Sequence, residues 1–136
     1  MSVIAGYLPS NRGRVALDLA VREAKLRNTD LVVVHSIHGD RRHDDDDAIA
    51  SDRDLAELDK QLAAEGIEYA VHNYVRGNEP CEDVVQAAKD FDAELVVIGL
   101  RKRTSAGKFF LGSNAHDIMM NSPCPVLTVR VEHAEE

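Results

Sequence analysis

Tryptophan is absent from the sequence, and three Tyr and three Phe residues bring the aromatic content to only 4%. Proteins that bind single-stranded nucleic acid stack bases on aromatic side chains, so the shortage disfavours that function. Positive charge is also scarce, since the formal net charge is −8, whereas DNA and RNA binding need a broad basic surface. We therefore expect no nucleic acid partner.

Cysteine and long apolar runs are equally sparse. Cys81 and Cys124 are far apart in the sequence and lack a metal-ligating partner at close spacing, so reduced thiols are the default. No apolar run approaches the ~20 residues that a membrane-spanning helix needs. No basic leader precedes the first apolar residues, so we expect a cytoplasmic protein without a membrane partner.

The 136 residues, 44% of them hydrophobic, suit a single domain over 1–136 with a polar tail from about 132. Apolar runs typical of buried strands alternate with segments whose apolar residues recur at helical spacing. Strands are predicted at 3–7, 31–36, 67–75, 95–98 and 126–131, and helices at 14–27, around 55–62, at 80–91 and at 114–120. The alternation predicts an α/β fold with one doubly wound, five-stranded parallel sheet and helices on both faces.

Ligands of such sheets bind beyond the carboxyl ends of the strands, where the strand order reverses. The fourth strand is followed there by a cationic segment, because four of the chain's 16 Lys and Arg fall between positions 101 and 108. Next, Gly112 and Ser113 lead into a short predicted helix. Glycine, free backbone amides and a helix dipole favour a bound anion, although a basic loop also serves simply to keep a loop solvated.

Two motifs in this region carry a family resemblance. The first motif consists of Gly99, two residues, Lys102, nine residues and then Gly112-Ser113. It resembles the nucleotide-binding signature of the universal stress protein family. The second motif, the segment 121–130, is similar to that family's Pro-Cys-Pro-Val closing strand. The resemblance extends from Val3 to Arg130. It implies the Rossmann-like, adenine nucleotide alpha hydrolase-like fold with strand order 3-2-1-4-5.

The resemblance also implies that the protein binds ATP or AMP, with Mg²⁺ only alongside a bound triphosphate. The nucleotide would be held after the first, second and fourth strands and at the start of the last helix. The residues implied are Gly6, Tyr7, Leu8, Ser36, Ile98, Gly99, Arg101, Lys102, Gly112, Ser113 and Asn114.

At two of these positions the chain departs from the family pattern. Nucleotide-binding members usually carry an Asp near the end of the first strand, where this chain has Leu8, so a polar contact to the nucleoside is lost. Lys102 replaces the second glycine of the signature. Its side chain either supplies a charge to the phosphates or occupies the volume that a phosphate needs.

Catalysis has little support in the sequence. The first and third predicted strands do not end in the acidic residues of a receiver domain, and Gly107-Lys108 is followed by Phe109, which breaks the P-loop pattern. His116 follows Ser113 by about one helical turn and is more typical of a solvated or capping histidine than of a general base. We expect no enzyme and no catalytic residues, with any nucleotide hydrolysis slow and incidental.

Two other ligand classes can be weighed. The acidic stretch Asp44–Asp47 is consecutive, so its carboxylates diverge, and we predict a solvated loop leading acids into a helix N-terminus and no metal site. A flavin-binding electron carrier would need a hydroxyl-rich loop after the first strand and aromatic residues to sandwich the ring. The sequence lacks such a loop, and its few aromatic residues offer little to sandwich the ring.

The fifth strand would be an unprotected sheet edge in a monomer. Val126, Leu127 and Val129 offer a pairing surface without a proline after Pro125, and the family commonly dimerises through this strand. We therefore predict a homodimer. The alternative to nucleotide binding is a dimeric interaction or regulatory module of the same family that functions without a nucleotide.

Overall fold

The computed structural model describes residues 1–7, 11–36, 44–74, 80–101 and 113–131. Over these residues strands and helices alternate strictly along the chain, and the strands form one parallel sheet in the order β3-β2-β1-β4-β5. The predicted fold class and strand order are confirmed. The elements are β1 (Ser2–Tyr7), α1 (Asn11–Arg27), β2 (Asp30–Ser36), α2 (Asp44–Ala63), β3 (Tyr69–Tyr74), α3 (Pro80–Asp90), β4 (Ala93–Arg101), α4 (Ser113–Asn121) and β5 (Val126–Val131).

Alternate residues of the central strands face two separate cores, as the period-2 geometry of a strand requires. Val3 and Ala5 pack on the face covered by α1 and α2, whereas Ile4 packs on the face covered by α3 and α4. The three side chains are fully buried. Because both faces are covered, the strands are apolar on both sides, which explains the continuous hydrophobic runs in the sequence.

The apolar periodicity that predicted a helix around 55–62 is confirmed in the C-terminal half of α2. Leu58 and Leu62 are buried in the first core, and Leu55 packs against them. The helix ends at Ala63, and the following turn contains Gly66 with a φ of 74°. Glycine adopts this left-handed conformation without a steric penalty, so Gly66 terminates the helix as predicted.

Several boundaries differ from the sequence prediction. The third strand begins at Tyr69, and Ile67 instead packs against the first core ahead of it. The second helix begins at Asp44, so Asp44–Asp47 form its first turn and not a loop before it, where acids complement the helix dipole. Val75, the predicted end of the third strand, lies outside the described residues.

The largest difference concerns the fourth strand. Its apolar run ends at Ile98, as predicted, but the strand continues to Arg101, which was assigned to the cationic loop. Gly99, Leu100 and Arg101 pair with Val129, Arg130 and Val131 of β5. Pairing with the neighbouring backbone, and not the hydrophobicity of the segment, therefore determines where β4 ends.

None of the helices among the described residues combines the length and the apolar character needed to cross a membrane.

Candidate functional site

A crevice begins where β1 and β4 stop pairing with each other. Their backbone ladder ends at Ala5↔Val97. On its other side, β1 stays paired with β2 as far as Tyr7↔His35, and β4 stays paired with β5 as far as Arg101↔Val131. Each strand thus runs on beside its outer neighbour while the two central strands part. This parting lies at the carboxyl edge, at the point where the strand order reverses.

The helices that follow the two strands pack on opposite faces of the sheet. After β1 it passes to α1, whose buried residues belong to the first core. After β4 it passes to α4, whose Ile118 belongs to the second core. The helices that follow β1 and β4 therefore lie on different faces of the sheet. This arrangement creates a site for a ligand in doubly wound sheets.

The floor of the crevice is apolar and tightly packed. Gly6 is the first residue of β1 beyond the last β1–β4 pair, and a Cβ atom added to it would lie 3.3 Å from Ile98 Cγ2 and 3.7 Å from Val84 Cγ2. Ile98 on β4 and Val84 on α3 are both buried. A ligand in the crevice would therefore rest above this contact and not penetrate between the strands.

The end of β2 adds a residue that sequence reasoning missed. His35 pairs with Tyr7 in the ladder and is only 3% exposed, so a buried imidazole lies one strand away from the crevice. Ser36 is the last residue of β2 and pairs with Tyr74 of β3. The signal for His35 was present, because it is the one titratable residue within the apolar run that forms β2 after Asp30.

The sheet places several of the predicted site residues at the same edge. The last three residues of β1 include Gly6 and Tyr7, and those of β2 include Ser36. The last four residues of β4 include Ile98, Gly99 and Arg101. Ser113 and Asn114 are the first two residues of α4. Leu8, Lys102 and Gly112 lie outside the described residues.

Helices α3 and α4 meet beside this edge through a polar contact. The Cys81 thiol, near the start of α3, donates to Asp117 Oδ2 across 3.9 Å, a distance that sulfur allows. The other carboxylate oxygen of Asp117 lies 3.5 Å from His116 Nδ1. His116 and Asp117 are largely exposed, whereas Cys81 is buried. This pairing fits the solvated role predicted for His116.

Neither Cys81 nor Cys124 forms a disulfide bond. Across the part of the chain that the structure describes, no group of three or more His, Cys, Asp and Glu residues could hold a metal ion. The absence of a catalytic residue and of a metal in the protein remains a prediction.

The opposite edge of the sheet carries a depression of about 700 Å³. Its walls come from the ends of α1 and α2 and from the segments that enter β2 and β3, and Lys25 and Glu65 form an ion pair of 2.6 Å there. It lies at the amino ends of the strands, away from the crevice. Parallel sheets bind their ligands at the carboxyl edge, so we assign the candidate site to the crevice.

At the side of the sheet, β5 is an edge strand next to β4. Val126, Leu127 and Val129 are half-buried. Val126 packs partly on the core beneath α3 and α4, and Leu127 packs partly on the core beneath α1 and α2. The predicted dimer strand therefore has the expected position, and the dimer itself remains a prediction.

The sequence and the fold are similar to those of known proteins. The model of the "Universal stress protein family" matches residues 1–130. A universal stress protein of Mycolicibacterium smegmatis is 33% identical, covering 94% of this chain and 96% of that protein. A solved universal stress protein from Archaeoglobus fulgidus is 36% identical, with a TM-score of 0.81, covering 95% of this chain and 98% of the other. A structure of the universal stress protein from Archaeoglobus fulgidus in complex with dAMP is 31% identical, with a TM-score of 0.73 and coverage of 95% and 97%.

Proposed function

This chain belongs to the universal stress protein family, and from that premise we propose that it binds an adenine nucleotide, ATP or AMP, in the crevice between β1 and β4. The observation that carries the proposal is the end of the β1–β4 ladder at Ala5↔Val97, with both strands continuing beside their outer neighbours. The similar Archaeoglobus fulgidus protein in complex with dAMP supports an adenine nucleotide as the ligand.

The nucleoside end of the ligand would lie over the ends of β1 and β2. Gly6 and Tyr7 extend past the last β1–β4 pair, and Ser36 ends the neighbouring strand. The family's Asp is replaced by Leu8, which offers no hydrogen bond to a ribose hydroxyl. We therefore expect the base and the phosphates, more than the ribose, to contribute to affinity.

The phosphates would be bound by the variant signature Gly99-x2-Lys102-x9-Gly112-Ser113. Helix α4 begins at Ser113, and its first backbone amides have no partner within the helix. These amides and the positive end of the helix dipole favour an anion. Arg101, the last residue of β4, lies between Gly99 and Lys102 of the signature. The sequence therefore supplies two positive charges close to the proposed phosphate position.

In this proposal the protein holds the nucleotide and does not turn it over rapidly. His116 is next to the Asp117 carboxylate, which suits a solvated pair more than a general base acting on a nucleophile. Mg²⁺ would accompany a bound triphosphate as its counterion. Cytoplasmic location remains a prediction from the sequence.

We propose in addition that two chains associate through β5. An edge strand without proline or inward-pointing charge presents free backbone groups that a second copy can pair with. Val126, Leu127 and Val129 are only half-buried in one chain, which leaves apolar surface for a partner to cover.

A second candidate function keeps the dimer without the nucleotide. It is favoured by the two departures in the binding pattern, Leu8 and Lys102, because each removes a feature that family members use to bind the ligand. The protein would then act as a dimeric interaction or regulatory module.

Isothermal titration distinguishes the two candidates. Purified protein stripped of nucleotide is titrated with ATP, ADP and AMP, beside Lys102→Gly and Gly112→Val. The proposal expects saturable binding in the wild type and its loss in Gly112→Val, because a branched side chain would obstruct the backbone amides. If neither the wild type nor Lys102→Gly takes up any of the three nucleotides, the interaction module is the better description.

A further inference from the structure

We infer that the contact between Gly6 and Ile98 determines the width of the crevice, and with it the affinity for the nucleotide. We call this pair, together with Val84 beneath it, the spacer contact. The inference rests on the proposed function. It gives Gly6 and Ile98 a positioning role, which depends on how they pack and not on contact with the ligand.

Backbone hydrogen bonds cannot set the width at this level. The last pair between β1 and β4 is Ala5↔Val97, so the regular spacing of about 4.8 Å between paired strands is no longer imposed at Gly6. From there on, the approach of the two strand ends is limited by the atoms that touch. On the face of the sheet covered by α3, Ile98 Cγ2 and Val84 Cγ2 lie 3.3 Å and 3.7 Å from the place that a Cβ atom of residue 6 would occupy.

The glycine at this position is explained by space and not by backbone conformation. Gly66 has a φ of 74° with no atom within 4 Å of an added Cβ, whereas Gly6 has no positive φ and faces an atom at 3.3 Å. Ile98 and Val84 are 5% and 4% exposed, so neither methyl group has free volume to retreat into. A side chain at position 6 would therefore displace the end of β1 from β4.

Such a displacement would act directly on the site. Tyr7 follows Gly6 and ends β1, and Gly99 follows Ile98 in β4, so the two halves of the site are attached to the two members of the spacer contact. Mispositioning by 1 Å can reduce a well-oriented interaction a hundredfold, so a shift of a few tenths of an ångström corresponds to roughly fourfold.

The test is a double-mutant cycle read by isothermal titration with AMP. Gly6→Ala adds a methyl group at the contact, and Ile98→Leu removes the Cγ2 methyl group while keeping the number of carbon atoms. We expect Gly6→Ala to weaken AMP binding by about fourfold. We expect Ile98→Leu to weaken it too, because the spacing loosens. The double variant should recover most of the loss.

Gly66→Ala is the matched control. It is the same chemical change at the opposite edge of the sheet, where the cost comes from the positive φ and not from a contact. It should lower the melting temperature and leave the affinity for AMP unchanged. All titrations are performed at a temperature where circular dichroism finds each variant fully folded, so that a general loss of stability does not contribute.

Recovery in the double variant, with unchanged affinity in Gly66→Ala, supports the inference. Wild-type affinity in Gly6→Ala overturns it, and so does a double variant as weak as the single ones or an equal loss in Gly66→Ala. If the Gly6→Ala variant does not fold, the test depends on the AMP affinity of the Ile98→Leu variant alone. An unchanged affinity in Ile98→Leu then overturns the inference. A wild type that binds none of ATP, ADP and AMP overturns the proposed function, and the inference with it.

Discussion

The Tyr69 hydroxyl on β3 donates a hydrogen bond of 2.6 Å to Asp59 Oδ1 on α2, and the Asp59 backbone oxygen is 3.1 Å from the same hydroxyl. The bond connects the edge strand of the sheet to the helix that covers it. Because the protonated phenol is the donor, the hydrogen bond to Asp59 raises the pKa of Tyr69 above its usual 10.0, and partial removal from water and the negative charge of Asp59 act in the same direction.

This raised pKa predicts a loss of stability in alkaline solution. The stabilisation is fully present below pH 10.0 and disappears as the pH rises through the raised pKa, because the phenolate cannot donate. Tyr69→Phe should therefore be less stable than the wild type at neutral pH, with the difference shrinking at high pH. Urea unfolding at several pH values measures it.

Asp59→Asn provides the control for that pH dependence. It keeps an oxygen acceptor and removes the charge, so the pKa of Tyr69 should return toward 10.0. A spectroscopic titration of phenolate absorbance follows the change. If the alkaline titration were identical in the wild type and Asp59→Asn, the interaction would have no influence on Tyr69.

The attachment of α2 to the sheet depends on a few leucines. Leu62 is 1% exposed and lies in the core that α1 and α2 share. Leu62→Ala should reduce the free energy of unfolding by about 2–5 kcal/mol, through lost burial and the cavity left behind. Gln61→Ala, at the exposed position beside it, should change stability by no more than about 0.5 kcal/mol. Equal effects in the two variants would mean that α2 does not pack as described.

Helix α1 ends in a Schellman motif centred on Asn28. Asn28 has a φ of 54°, its amide donates to the Lys25 carbonyl at 3.2 Å, and the Thr29 amide donates to the Ala24 carbonyl at 3.0 Å. Asn28→Gly should maintain or raise stability by up to about 1 kcal/mol, whereas Asn28→Val should lower it by at least that amount, because a β-branched residue is strained at positive φ. Thermal unfolding compares the two, and the reverse ranking would contradict the motif.

Association through β5 can be tested with a charge on the strand. Val129→Lys places an ammonium group on the proposed pairing edge, where charged residues prevent strand addition, so the protein should become monomeric in size-exclusion chromatography with light scattering. Arg130→Ala, at the exposed neighbouring position, should remain dimeric. A folded Val129→Lys variant that stays dimeric would exclude β5 as the interface.

The arrangement of the chain was predictable from local patterns. The apolar runs 31–34 and 95–98 became the central strands β2 and β4, because a segment that cannot face water on either side must lie inside a sheet covered by helices. The turn at Gly66 and the helix ending at Asn28 were also predictable, since both residue types tolerate positive φ.

The lengths of the strands were less predictable from the sequence, because each strand extends as far as it pairs with its neighbour in the sheet. Arg101 has no apolar character, yet it belongs to β4, where it pairs with Val131 across the sheet. His35 was overlooked for a related reason. Its position as the one titratable residue in a hydrophobic run was a signal, but only the coverage of both faces of the sheet makes it 3% exposed.

The family, the alternation of strands and helices, and the residue types available for an anion site follow from the amino-acid sequence, because they depend on local periodicity and on motifs at a characteristic spacing. The packed fold sets where β1 and β4 part and how little space is left for a side chain at Gly6. Both depend on atoms that are distant in the chain and meet only when the sheet and α3 pack together, as Gly6, Val84 and Ile98 do.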